Sequence, residues 1–168
     1  MRGAAWLGWV VALCAAGCSQ PTNTAPANEE GAVRDAVEAF QGALKARDAD
    51  KLWQLLDAES QADAERAAGA VRAAYAKAGP EGKAEQEKAL GIPGAELARL
   101  TGTGFLKTRR FHGKYDELPD SKIDKVAVQG DRATVSYTEP DGDKEKLALV
   151  RQDGRWRLSV PMPKGAQS

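Results

Sequence analysis

His112 is the chain's single histidine, and an imidazole is the first side chain to inspect for acid–base chemistry because it titrates near neutrality. Its solitude removes any metal site that needs two imidazoles. Standing beside Gly113 and Lys114, it reads as a loop residue. Two aromatic residues join it as weak candidates for ligand binding. Tyr137 carries a phenol that could line a cavity, and Trp53 offers a flat ring. Each also falls in an amphipathic run, as Trp156 does, so a core position is the stronger reading of all three. No pattern brings His112, Tyr115, Asp116 and Tyr137 into one pocket, and no residue is assigned as catalytic.

Other motifs are weaker still. Thr101-Gly102-Thr103-Gly104 has the glycines of a phosphate loop but lacks its Gly-Lys-Ser/Thr ending and follows no expected strand. Lys107, Arg109 and Arg110, interleaved with Phe105 and Phe111, form a basic patch that suits an acidic partner or a phospholipid head group, although a solvated face explains it as well. Asp141-Gly142-Asp143 lacks the further oxygen ligands of a calcium loop and is explained by a hairpin tip. Both cysteines, Cys14 and Cys18, lie near the start, which excludes thiol catalysis and paired-cysteine metal sites from the rest. Neither a metal nor a cofactor is expected.

The beginning of the chain has a different task. Arg2 precedes thirteen uncharged, mostly apolar residues, Gly3 to Ala15, and then Ala16-Gly17-Cys18. A basic start, a short apolar run and small residues make a secretory signal over residues 1–17, too short for a bilayer span of about 20 residues. Ala15-Ala16-Gly17-Cys18 resembles the lipobox of bacterial lipoproteins, with Ala15 where that family usually has Leu. The resemblance implies that Cys18 becomes the first mature residue and carries acyl chains that anchor the protein in the membrane. Ser19 in place of Asp resembles the pattern that sorts lipoproteins to the outer membrane of the cell envelope.

Beyond the anchor, residues 18–30 form a tether. Ser19 to Glu30 holds no aliphatic side chain larger than Ala and two prolines, too little to bury itself. It should keep the domain roughly 20 Å from the membrane on average and at most about 40 Å away. The 24 basic and 24 acidic residues cancel, and removing Arg2 with the signal leaves a net of −1, so nothing recruits nucleic acid in bulk. The 151 residues after the signal suit one domain with a sizeable core.

That domain divides into helices and then strands. Val33, Val37, Phe40 and Leu44 recur at steps of four, three and four, one stripe of a helix that ends near Ala46. Asp50 is a candidate cap for a short second helix with Leu52, Trp53, Leu55 and Leu56. A third, alanine-rich helix is expected from about Ser60 to Ala78, stopped by Gly79-Pro80. A charged fourth runs from about Glu81 to Leu90, and Pro93 starts a further turn. Thr101 to Ser121 gives mixed signals: a flexible break, a strand or helix end over Phe105–Phe111, then loop through His112–Tyr115 and Leu118–Asp120.

From Ile123 to Val160 the pattern changes to alternation. Gly130-Asp131, Pro140-Asp141-Gly142 and Asp153-Gly154 separate four runs, and Asp-Gly between alternating runs is a strong hairpin signal. Ala133, Val135 and Tyr137 share one face, as do Leu147 and Leu149, and Trp156, Leu158 and Val160. The fold class is therefore α+β: N-terminal helices packed on a curved antiparallel meander of four or more strands.

Helices first and a meander last resembles the nuclear transport factor 2-like superfamily, a cone in which a curved sheet wraps an N-terminal helix. The likeness rests on Ala36–Phe40 with Ala46–Trp53, on Val126–Val135, and on Leu149–Leu158. It spans residues 31–163, leaving 164–168 as a tail, and Asp57–Leu100 is longer and more helical than the simplest members. With so few residues for chemistry, the favoured expectation within this frame is a non-catalytic binding or interaction module whose cone or helix–sheet rim takes an envelope protein or a small apolar ligand. The resemblance implies that a homodimer through the open sheet face is open to the chain. The alternative it leaves is a small hydrolase or isomerase with a site in the cone mouth.

Overall fold

The computed structural model describes residues 27–163, so the expected signal, Cys18, most of the tether and the tail lie outside the described residues. No helix among the described residues is long and apolar enough to cross a membrane. The architecture is α+β, with helices first and a four-stranded sheet in the order β1-β2-β3-β4 last.

The sheet forms from short turns that join alternating runs into hairpins. Strands β1 (Lys122–Gln129), β2 (Arg132–Thr138), β3 (Lys144–Gln152) and β4 (Arg155–Ser159) pair antiparallel in sequence order. At the last hairpin Asp153 and Gly154 both take positive φ, 50° and 74°, as a type I′ turn requires. Register aligns Val126, Val135 and Leu147 across three strands, and Ala133, Leu149 and Leu158 likewise. All six are buried, so one face of the sheet is continuous hydrocarbon.

Helix α1 (Ala27–Ala46) covers that face. Its stripe of Val33, Val37 and Phe40 is fully buried, with Leu44 close behind, and the helix lies against β1 and β4. Glu29 in its first turn is ion-paired to Arg151 and accepts a bond from the Trp156 indole at 3.3 Å. The last residues of the expected tether are thus helical and fastened to the sheet.

Helix α2 (Ala49–Leu55) is capped by Asp48, whose side chain accepts from the Lys51 amide at 3.0 Å, rather than by Asp50. The chain then touches the free edge of β4. Leu56 bridges Leu158, the Asp57 amide donates to the Leu158 carbonyl at 2.9 Å, and Ser60 Oγ accepts from the Val160 amide at 2.9 Å. An edge paired in this way is no longer a template for another chain. Asp57 also caps α3 (Ala58–Lys77) through the Ser60 amide at 2.7 Å.

Pro80 does more than end α3: it occupies the first turn of α4 (Pro80–Leu90), where its missing amide is no loss. Short helices α5 (Gly94–Leu97), α6 (Gly102–Phe105) and α7 (Arg109–Lys114) follow, with a 3₁₀ turn at Leu118–Asp120. The mixed segment is therefore helical, and neither the strand over Phe105–Phe111 nor the loop at His112 forms. Thr101 and Thr108 explain the difference, since their hydroxyls cap α6 and α7 by accepting from the Gly104 and Phe111 amides. Phe105, Leu106 and Phe111 then enter the core.

Candidate functional site

A concavity of about 450 Å³ lies between α3 and α4. Ala67, Ala70, Val71 and Ala74 line it from α3, spaced as a single helical stripe. Ala89 and Leu90 face them from α4, and the buried Phe105 lines the inner side. The cause is steric. Methyl groups are too short to fill the space between two helices held by other contacts, so a trough remains. One such contact is a clasp: the Tyr75 hydroxyl donates to Glu87 at 2.7 Å. That bond, followed by burial and the Glu87 charge, raises the Tyr75 pKa. Glu85 and Arg110 are the charged residues of the groove wall. Among the described residues Arg110 makes no ion pair or hydrogen bond, and it is half-buried.

None of the three residues first singled out lines this groove. Tyr137 sits in the sheet core opposite Ile123 and Glu145, and burial, aided by Glu139 and Glu145, pushes its pKa up to about 12. Trp53 is half-buried against the core, its ring beside Gly102. The core reading of both aromatic residues therefore describes where the structure puts them. The signal for the groove was the alanine stripe, which the sequence marks only as a surface for close packing.

His112 lies in a second, more open cleft of about 400 Å³, whose lining includes Arg47, Arg109, Tyr115 and Asp116. This corrects the expectation that His112, Tyr115 and Asp116 stay apart, because helix α7 and the turn after it bring all three together. They do not form a proton relay. The Tyr115 hydroxyl donates to the Pro161 carbonyl at 2.6 Å, and among the described residues the three are joined only through the backbone, by the Tyr115 amide donating to the His112 carbonyl at 3.0 Å, with no side-chain hydrogen bond between them. Burial holds the Tyr115 hydroxyl well above the usual phenol range, with Tyr137 adding to it. His112 Nε2 is buried without a partner.

Burial first, then the Arg47 charge, lowers the His112 pKa from its ordinary 6.5, with the Leu106 backbone pulling the other way. As the pH falls through about 6.5, the unfolded chain takes up this proton before the folded one does. Stability should therefore decline below that pH, until the lower folded pKa is reached, and be unaffected above it. Replacing His112→Gln should flatten that decline in urea unfolding midpoints compared at pH 7.5 and 5.5. An equal slope in the variant would assign the decline to other groups.

A third cluster was not visible in sequence. Glu117, ahead of the 3₁₀ turn, meets Glu139 and Asp141 of the β2–β3 hairpin, with one carboxylate oxygen from each within 4.8 Å of the others. These three are the described residues that could hold a metal ion, and Asp141 gains there two of the oxygen ligands its own loop lacks. Desolvation raises the Glu139 pKa, followed by the charges of Glu117 and Asp141.

Compared with family models, curated proteins and solved structures, the chain shows no significant match to any of them. What its geometry establishes is an α+β protein of N-terminal helices and a four-stranded antiparallel sheet, carrying an alanine-lined groove between α3 and α4.

Proposed function

We propose that the protein is an exported lipoprotein, anchored in the envelope through Cys18 and sorted to the outer membrane, whose folded domain is a non-catalytic binding module. Its ligand site is the α3–α4 groove, and its ligand is a small apolar molecule. The observation that carries this reading is the groove itself. Its volume of about 450 Å³ lies within the roughly 300–1,000 Å³ of small-molecule sites, and its wall is mainly hydrocarbon. A protein partner would need roughly 800 Å² of contact from this side, far more than such a trough offers. Placement in the nuclear transport factor 2-like superfamily belongs to the same proposal, supported by α1 lying against β1 and β4. The hydrolase or isomerase alternative draws support from the cleft shared by His112, Tyr115 and Asp116, but a histidine nitrogen sealed from solvent is poorly placed to move protons.

Ala74 lines the groove yet is exposed, so a larger side chain there fills the trough without entering the core. Titrating the full chain with Nile red, a neutral apolar dye, should give one saturable site. Ala74→Phe should weaken it at least tenfold, with the urea unfolding midpoint unchanged. Dye binding that survives Ala74→Phe would remove the groove from the account.

A further inference from the structure

We propose, building on the groove as the ligand site, that its ligand is a single acyl chain ending in an anionic head, held by Arg110. A water occupies about 30 Å³ of liquid, a methylene takes a similar space, and 450 Å³ therefore accommodates on the order of 15 of them. That is one acyl chain, whereas the two chains of a phospholipid would overfill it. Most of the lining agrees, because Ala67, Ala70, Val71 and Ala74 present methyl groups, and Gln86 is the one uncharged polar side chain on the wall. A chain of methylenes asks for nothing more specific.

Charge decides the head group. The groove wall carries one cation, Arg110, and one carboxylate, Glu85. Glu85 is exposed and already solvated by water, so a cationic head would gain little from it. Arg110 is half-buried and lacks a protein acceptor among the described residues. Its neighbour Arg109 differs, because it donates to the Lys88 carbonyl at 3.2 Å. A guanidinium with unused donors beside an apolar trough matches a carboxylate or phosphate, which it can grip with two parallel hydrogen bonds. The ligand's chain lies along the alanine stripe and its head meets Arg110. A fatty acid and a monoacyl phosphate share this chemistry, and they differ only in the charge delivered to Arg110.

The test uses the full chain and saturated C12 probes below their micelle concentrations, followed by titration calorimetry. The probes are dodecanoate, dodecyl phosphate and dodecyltrimethylammonium. The two anions should bind at least tenfold more tightly than the cation, and dodecyl phosphate against dodecanoate ranks the two sources. Shortening dodecanoate by one methylene should weaken binding about fourfold, as expected for a buried CH₂. Arg110→Gln should weaken both anions at least tenfold and abolish their preference over the cation, with the unfolding midpoint unchanged.

Equal affinity for all three heads would overturn Arg110 as the head-group ligand and leave the groove standing as an apolar site. Binding of none of them, together with failure of Nile red, would overturn both. Absence of probe binding together with a concentration-dependent dimer abolished by Ala74→Phe, seen by light scattering, would overturn the acyl ligand in favour of a second copy of the chain.

Discussion

Phe40→Ala should cost about 3–5 kcal/mol, the range expected for emptying a fully buried aromatic site. Phe40 is fully buried on the face of α1 that covers the sheet, and it meets the Tyr115 ring edge-on at 6.4 Å between centroids. Tyr115 in turn packs on Phe111 at 5.2 Å. Removing the Phe40 ring therefore leaves a cavity where α1, α7 and the sheet converge, and rigid strands cannot collapse to fill it. A loss of this size is a large part of the 5–15 kcal/mol that stabilises an ordinary domain. Urea unfolding followed by tryptophan fluorescence checks it. A change below about 1 kcal/mol would mean that α1 does not seat on the sheet through this residue.

Gly102→Val should cost about 1–3 kcal/mol through overpacking. A Cβ at Gly102 would lie 2.7 Å from a ring carbon of Trp53 and 2.8 Å from a carboxylate oxygen of Glu65. Glu65 is exposed and can swing aside, but the Trp53 ring is packed against the core and cannot. Gly113→Ala is the control, because a Cβ there meets nothing within 4 Å and Ala in helix α7 should be neutral to mildly stabilising. The comparison assigns a role to Thr101-Gly102-Thr103-Gly104. Its first glycine lets α6 approach α2 and α3, and its first threonine caps the helix, so packing accounts for the resemblance to a phosphate loop. Equal unfolding midpoints for Gly102→Val and Gly113→Ala would contradict this close approach.

The legible part of the molecule was the part with a short period. Alternation through Ala133, Val135 and Tyr137 assigns a buried face residue by residue, and Asp153-Gly154 dictates its turn. The stripe from Val33 to Leu44 was equally plain, since four large apolar residues at helical spacing admit one arrangement. Helix starts were harder. Asp48, Asp50 and Asp57 are all competent caps, and only the tertiary path selects Asp48 and Asp57. Thr101–Ser121 was opaque because two four- to six-residue helices are too short to show a period.

The candidate site was less legible than the fold. An alanine stripe reads as a surface for close packing, and nothing in its spacing says that the opposing helix stands too far away to be touched. That distance is set by contacts elsewhere, including the Tyr75–Glu87 clasp. The acidic cluster escaped for a related reason, since Glu117 lies 22 positions before Glu139 and meets it only through the β1–β2 pairing. Trp53, Tyr137 and His112 drew attention by residue type alone; Tyr137 is buried in the sheet core, while Trp53 and His112 are half-buried.

The account stands on the α3–α4 groove being the place where this domain receives its ligand, and methyl NMR tests that most directly. With alanine methyls labelled in the full chain and dodecanoate added, shifts should concentrate at Ala67, Ala70, Ala74 and Ala89. The methyls of Ala127 and Ala148, exposed on the far face of the sheet, should stay still. Unmoved groove methyls, or shifts spread evenly over the sheet, would contradict the groove as the binding site.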